Sequence, residues 1–207
     1  MRTSCLVAYL AALSLVAGAC ATRARLGAPE LRDEAWLAAD AYLRQHFTGT
    51  GEFPRITYVC ELSTPVLIDQ PVLRRLLPDT TFYRAVLWTG QSEYMELQTL
   101  IATTNTSAGF VTVHCPSPTW SETPREFLAV FHGLAASTLA ERRDLVTSIA
   151  QLLAQITYKG RVEAVSATPD MVSAELWHGH LHWRDVCITF SADNTVAHVW
   201  VTNPKAT

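Results

Sequence analysis

Charge of one sign is what this sequence has least of. Its 16 Lys+Arg stand against 19 Asp+Glu, a formal net charge of -3 spread thinly over 207 residues. No basic face or acidic run forms, which argues against a general affinity for nucleic acid. Lysine is confined to Lys159 and Lys205; arginine carries the other cations, as expected of a GC-rich genome. No apolar run reaches the roughly 20 residues of a stable transmembrane helix. There is no Gly-x-Ser-x-Gly elbow, no His-Glu-x-x-His, no paired Cys-x-x-Cys and no P-loop. Gly49-Thr50-Gly51 lacks the third glycine and the preceding strand of a dinucleotide fingerprint. The familiar enzyme classes are thereby disfavoured.

What is present is a core-forming composition. With 49% hydrophobic and 17% charged residues, the chain can bury one sizeable core and is too apolar for a disordered protein. One domain, or two small ones sharing a core, is the expectation.

The N-terminus carries the clearest local pattern. Arg2 supplies a positive start, Cys5 to Val16 is a short apolar run, and Ala17-Gly18-Ala19-Cys20 follows with the small residues a signal peptidase needs. These small residues before Cys20 resemble the lipobox of bacterial envelope lipoproteins, although Ala17 stands where such boxes usually carry Leu. The resemblance covers this segment alone. It implies that residues 1–20 are a cleaved signal peptide, that Cys20 becomes the lipidated first residue, and that its several acyl chains tether the protein to a membrane of the cell envelope, periplasm-facing or at the surface. Ala19-Cys20-Ala21 also fits an ordinary Ala-x-Ala site, and cleavage after Ala21 would give a secreted protein. Residues 21–30 read as a tether and 31–207 as one folded domain.

Cysteine usage follows from export. Cys5 leaves with the signal and Cys20 is lipidated or lost, so Cys60, Cys115 and Cys187 remain. In an oxidising compartment one disulfide and one buried thiol are expected. Cys60 with Cys115 is the favoured pair, a loop closure worth about 4 kcal/mol in the chain-entropy model; the other two pairings stay open.

The mature chain alternates helices with strands. A helix is expected over 31–47, with Trp36, Ala39, Leu43 and Phe47 near one face, then a strand at Ile56–Leu62 and a helical turn at Pro71–Leu77. Three strands follow over 81–89, 93–103 and 110–115. Thr123-Pro124-Arg125-Glu126 and Thr138-Leu139-Ala140-Glu141 both read as capping boxes. They start the two helices of an αα-hairpin: Phe127, Val130, Phe131 and Leu134 stripe the first, and Leu145, Ile149, Leu152 and Ile156 the second. Gly160 is the expected cap. Arg74-Arg75 and Arg142-Arg143 read as solvated helix faces. A second meander is expected over 162–168, 171–177, 180–190 and 195–202. The fold class is therefore α+β: two layers, with antiparallel β-meanders packed against an N-terminal helix and a central αα-hairpin.

One constellation invites chemistry: Trp177-His178-Gly179-His180-Leu181-His182-Trp183. On a strand, His180 and His182 share a face with alpha carbons roughly 6.6 Å apart, near enough for both imidazoles to reach one zinc. A turn centred on His178-Gly179 places Glu175 opposite His182 as a third ligand or an orienting acceptor. The plain alternative is an exposed hairpin tip. In that reading a β-bulge near Arg184-Asp185 turns Leu181, Trp183, Val186, Ile188 and Phe190 all to the core. A turn at Asp193-Asn194 pairs His198 near Thr189, far from His182.

The expected function is binding, of a protein or of an envelope component, by a lipid-anchored protein with no catalytic activity assigned and no resident cofactor. Two alternatives stand beside it: a zinc-binding protein or metal-dependent hydrolase using His180, His182 and Glu175, and a carrier of a small apolar ligand. The metal reading requires the two histidines and a carboxylate to converge. The carrier requires an enclosed apolar cavity of at least about 300 Å³.

Overall fold

The computed structural model describes residues 33–47, 49–53, 56–89, 95–116, 125–157 and 159–202. The expected signal segment with Cys20, the expected tether and the Thr123-Pro124 half of the expected first capping box lie outside the described residues. In chain order the elements are α1 (Asp33–Phe47), β1 (Gly49–Phe53), β2 (Ile56–Leu62), β3 (Val66–Ile68), α2 (Pro71–Leu76), β4 (Thr80–Thr89), β5 (Met95–Thr106) and β6 (Gly109–Pro116). Then come α3 (Arg125–Ala129), α4 (Leu139–Ala154), β7 (Gly160–Ala167), β8 (Met171–His178), β9 (Leu181–Phe190) and β10 (Val196–Val201). The fold is α+β, with two antiparallel sheets.

The first sheet runs β1-β2-β4-β5-β6, with β3 also on β4. Strands β2 and β3 are one interrupted partner of β4. Cys60–Leu62 pair with Thr89–Leu87 and Val66–Ile68 pair with Arg84–Phe82, while Pro65, which has no N–H to donate, falls in the gap. Ser63 bridges the gap by donating its own N–H to the Val86 carbonyl and accepting the Val86 N–H on its hydroxyl, at 2.9 and 2.8 Å. Strand β3 has only three residues and sits behind a proline, so it leaves no periodic trace in the sequence; β1, rich in glycine, leaves none either. The second sheet is the expected plain meander, β10-β9-β8-β7.

One continuous core joins both sheets to α2, α3 and α4. Phe82, Phe127 and Phe131 pack with ring centroids 5.9 to 6.3 Å apart. Helix α4 lies along β7 and β8 and also meets α2, while α3 meets both β6 and β10. The expected stripe of Leu145, Ile149, Leu152 and Ile156 is fully buried against Val172, Ala174, Leu176, Val186 and Ile188.

The αα-hairpin is where expectation and structure part. Helix α3 has five residues, continues as a tight turn through Val130–Gly133, and gives way to an extended segment that bonds to β10. Gly133, at φ +76°, makes the reversal without the steric penalty a side chain would bring. Gly133 N–H then donates to Val196 O, Val196 N–H to Leu134 O and Ala136 N–H to Asn194 O, at 2.8 to 2.9 Å. Phe127, Phe131 and Leu134 are all buried, as their spacing promised, but the last is buried from an extended backbone. The second capping box forms as read: Thr138 Oγ1 accepts from Glu141 N–H at 3.2 Å, and the Glu141 carboxylate accepts from Thr138 N–H at 2.9 Å.

Candidate functional site

The β8–β9 hairpin holds the histidines, and its register decides what they meet. The turn is Gly179-His180, one residue later than expected, because His178 pairs with Leu181 and Trp177 with His182. Glu175 consequently faces Asp185, two positions away from the place opposite His182 assigned to it above. The register shifts so that Trp183 is the extra residue of the bulge, next to the expected Arg184-Asp185. The bulge turns Trp183, Val186, Ile188 and Phe190 toward the core, whereas Leu181 is left 74% exposed at the tip.

His180 occupies the exposed turn, and His182 Nε2–H donates to Asp185 Oδ1 at 2.8 Å. Glu175 is engaged elsewhere: its Oε2 accepts from the Trp177 indole N–H at 3.1 Å. The Trp177 ring lies between His182, with centroids 5.5 Å apart, and the Arg161 guanidinium at 5.3 Å. Arg161 pairs with Glu163 at 2.6 Å and also donates to the Gly179 carbonyl. The tip is thus laced by cross-strand pairs of small individual worth. Among the described residues no three of His, Cys, Asp and Glu converge as metal ligands would. His198 pairs with Thr189, as anticipated.

The expected Cys60–Cys115 bond is overturned by strand order. Cys60 is on β2 and Cys115 on β6, with β4 and β5 between them. Three inter-strand steps of roughly 4.8 Å separate the two, whereas a disulfide needs alpha carbons within about 7 Å. Burial pushes the Cys115 thiol up to about 12, with the Arg184 charge opposing. Burial, helped by the Asp185 charge, pushes Cys187 up to about 11. Neither is an activated nucleophile.

The opposite end of the second sheet carries a cleft of about 710 Å³. Its walls are the β7–β8 turn, the β9–β10 turn and the first turn of α4. Arg142 follows the capping box by one residue, and only 9% of it is exposed, so the solvated reading of Arg142 is wrong. Its Nε–H donates to Ala136 O at 3.1 Å, one Nη1–H to Pro169 O, and one Nη2–H to Asn194 Oδ1 at 2.8 Å. The guanidinium carbon lies 4.3 Å above the Phe190 ring.

Both turns are themselves braced. Thr168 Oγ1–H donates to Met171 O at 3.0 Å and accepts from Met171 N–H at 3.1 Å. Ser191 and Thr195 hydroxyls both donate to Asp193, and these hydrogen bonds hold the Asp193 carboxyl below the usual range. Asn194 adopts φ +64°, a conformation asparagine tolerates better than most residues. The α4 stripe extends back at helical spacing to Arg142, three residues before Leu145, but a charged residue adjoining Arg143 reads as solvated, and the folding of two distant turns over the start of α4 completes its enclosure.

Fold and site together define an α+β protein with an open cleft that mixes apolar walls with a buried guanidinium. No protein-family model, curated protein or solved structure matches the chain.

Proposed function

We propose that this chain is an exported protein of the bacterial cell envelope, tethered through lipid on Cys20, that acts by binding and not by catalysis. The cleft beside Arg142 is its binding site. One observation carries this reading: polar groups from three elements, Arg142, Thr168 and Asn194, converge with Leu139, Ala167 and Phe190 on a single concavity, the combination that recognises a ligand. Its braced turns favour binding because a preformed site gives up little entropy when it fills. The lipobox-like segment before Cys20 supports the envelope location. The metal alternative draws no comparable support, since Asp185 and Trp177 already occupy the surroundings of His182.

The test is photo-crosslinking in the native cells. A benzophenone side chain replacing Leu139, which is 45% exposed on the cleft wall, is compared with one replacing Val111, 52% exposed on β6. A discrete adduct from position 139 and not from 111, on protein whose first residue is a lipidated Cys20, is the expected result. No adduct, the same adducts from both positions, or retention of Met1 would retire the proposal.

A further inference from the structure

The charge balance of the cleft points to a class of ligand. Arg142 is a buried cation whose three hydrogen-bond acceptors are all neutral: two main-chain carbonyls and the Asn194 amide oxygen. The ion pairs among the described residues are Arg44–Asp40, Arg74–Asp69, Arg161–Glu163 and His182–Asp185; Arg142 belongs to none of them. Asp170 is the one carboxylate lining the cleft; it is exposed and forms no ion pair with Arg142. A guanidinium offers five N–H donors, so two remain beyond the three already committed. Neutral dipoles offset only part of the desolvation of a buried cation, and the remainder favours an anion drawn to it. Planar, bidentate carboxylates match the arginine fork, and such charge-assisted bonds are short and strong.

The other walls set the body of the ligand. Leu139, Ala167, Pro169 and Phe190 present apolar surface beside the guanidinium. Asp170 adds a negative charge to the rim and so weighs against dianions. We infer that the cleft binds a monocarboxylate carried on a short apolar body, free or as the C-terminus of a peptide. This inference rests on the cleft being the binding site and adds the chemistry of what fills it.

Amide chemical-shift titration of the purified mature protein tests it, with butyrate and acetyl-Ala-Ala as probes and butanamide, acetyl-Ala-Ala-amide and inorganic phosphate as controls. Saturable shifts at Ser137, Thr168 and Asn194 with one or both acids, and none with the amides, are expected. Butyrate alone identifies a free acid; the dipeptide acid alone identifies a chain terminus. Arg142→Lys, which keeps the charge and loses the fork, weakens the acid by about tenfold. Leu139→Glu, at an exposed position, leaves the fold intact and weakens it too, by adding a like charge. Equal shifts with acids and amides, saturation by phosphate in their place, or undiminished acid binding in Leu139→Glu would overturn the inference. A crosslinked adduct at position 139 without any response to the acids would remove the ligand class and leave the binding site standing. Absence of both would remove both.

Discussion

Arg142 couples three segments that share no sequence proximity, because its donors reach Ala136, Pro169 and Asn194 at once. Arg142→Met keeps the methylene packing over Phe190 and strips three acceptors of their donor. Leaving partly buried acceptors unmatched is costly, so the variant loses about 2 kcal/mol of stability. The loss is read as a lower urea midpoint at unchanged slope, and an unchanged midpoint would show that solvent satisfies these acceptors freely. His182 belongs to the other end of the scale. Its partner Asp185 and its neighbour Trp177 are partly exposed, and a pair in such a setting contributes little. The His182-x-x-Asp185 spacing was open to view in the sequence. What hid its meaning was the bulge at Trp183, which shifts a three-residue separation into contact.

At the scale of elements, the junction between α4 and β7 leaves no room for a side chain at Gly160. A Cβ on Gly160 would stand 2.3 Å from the Ala154 carbonyl oxygen and 2.8 Å from the Thr157 Cβ. Glycine is present there because the strand leaves directly against the helix end, and not as the helix cap read from the sequence. Gly160→Ala forces the backbone apart and destabilises the fold by about 2 kcal/mol, measurable as a lower melting temperature with the helix content retained. A silent substitution would mean that the helix end gives way freely. The elements that were legible share a property: each has enough length for its own period. Helix α4 displays a four-residue stripe and a complete capping box, and strands β4, β8 and β9 carry eight to ten residues each. Helix α3 failed that test. Its apolar spacing fits a helix, but pairing with β10 offers the backbone of Leu134–Ala136 better partners.

For the molecule as a whole, the buried thiols set an alkaline limit. Cys115 rises from 9.0 to about 12 and Cys187 from 9.0 to about 11, so the folded chain keeps protons that the unfolded chain releases. Below about pH 9 both states hold them and the stability is complete; above it, stability falls by up to about 1.4 kcal/mol per pH unit for each thiol. Burial pushes the Tyr83 phenol up to about 12 as well, which adds a loss of the same sign at still higher pH. Urea midpoints measured from pH 7 to pH 10.5 should hold level and then fall beyond pH 9. A flat profile over that range would mean that the thiols meet solvent in the folded state.

By itself the sequence determined the class of fold, most element positions and the identity of the core, because hydrophobic period, capping residues and turn residues act within a few positions of one another. Only the tertiary structure decided strand order, register and the enclosure of Arg142, since each depends on which distant backbone donor meets which acceptor. Two strands between Cys60 and Cys115, one extra residue at Trp183 and two turns folded over α4 are long-range facts. A one-residue slip in register changes every facing pair in a sheet. No local pattern carries that information.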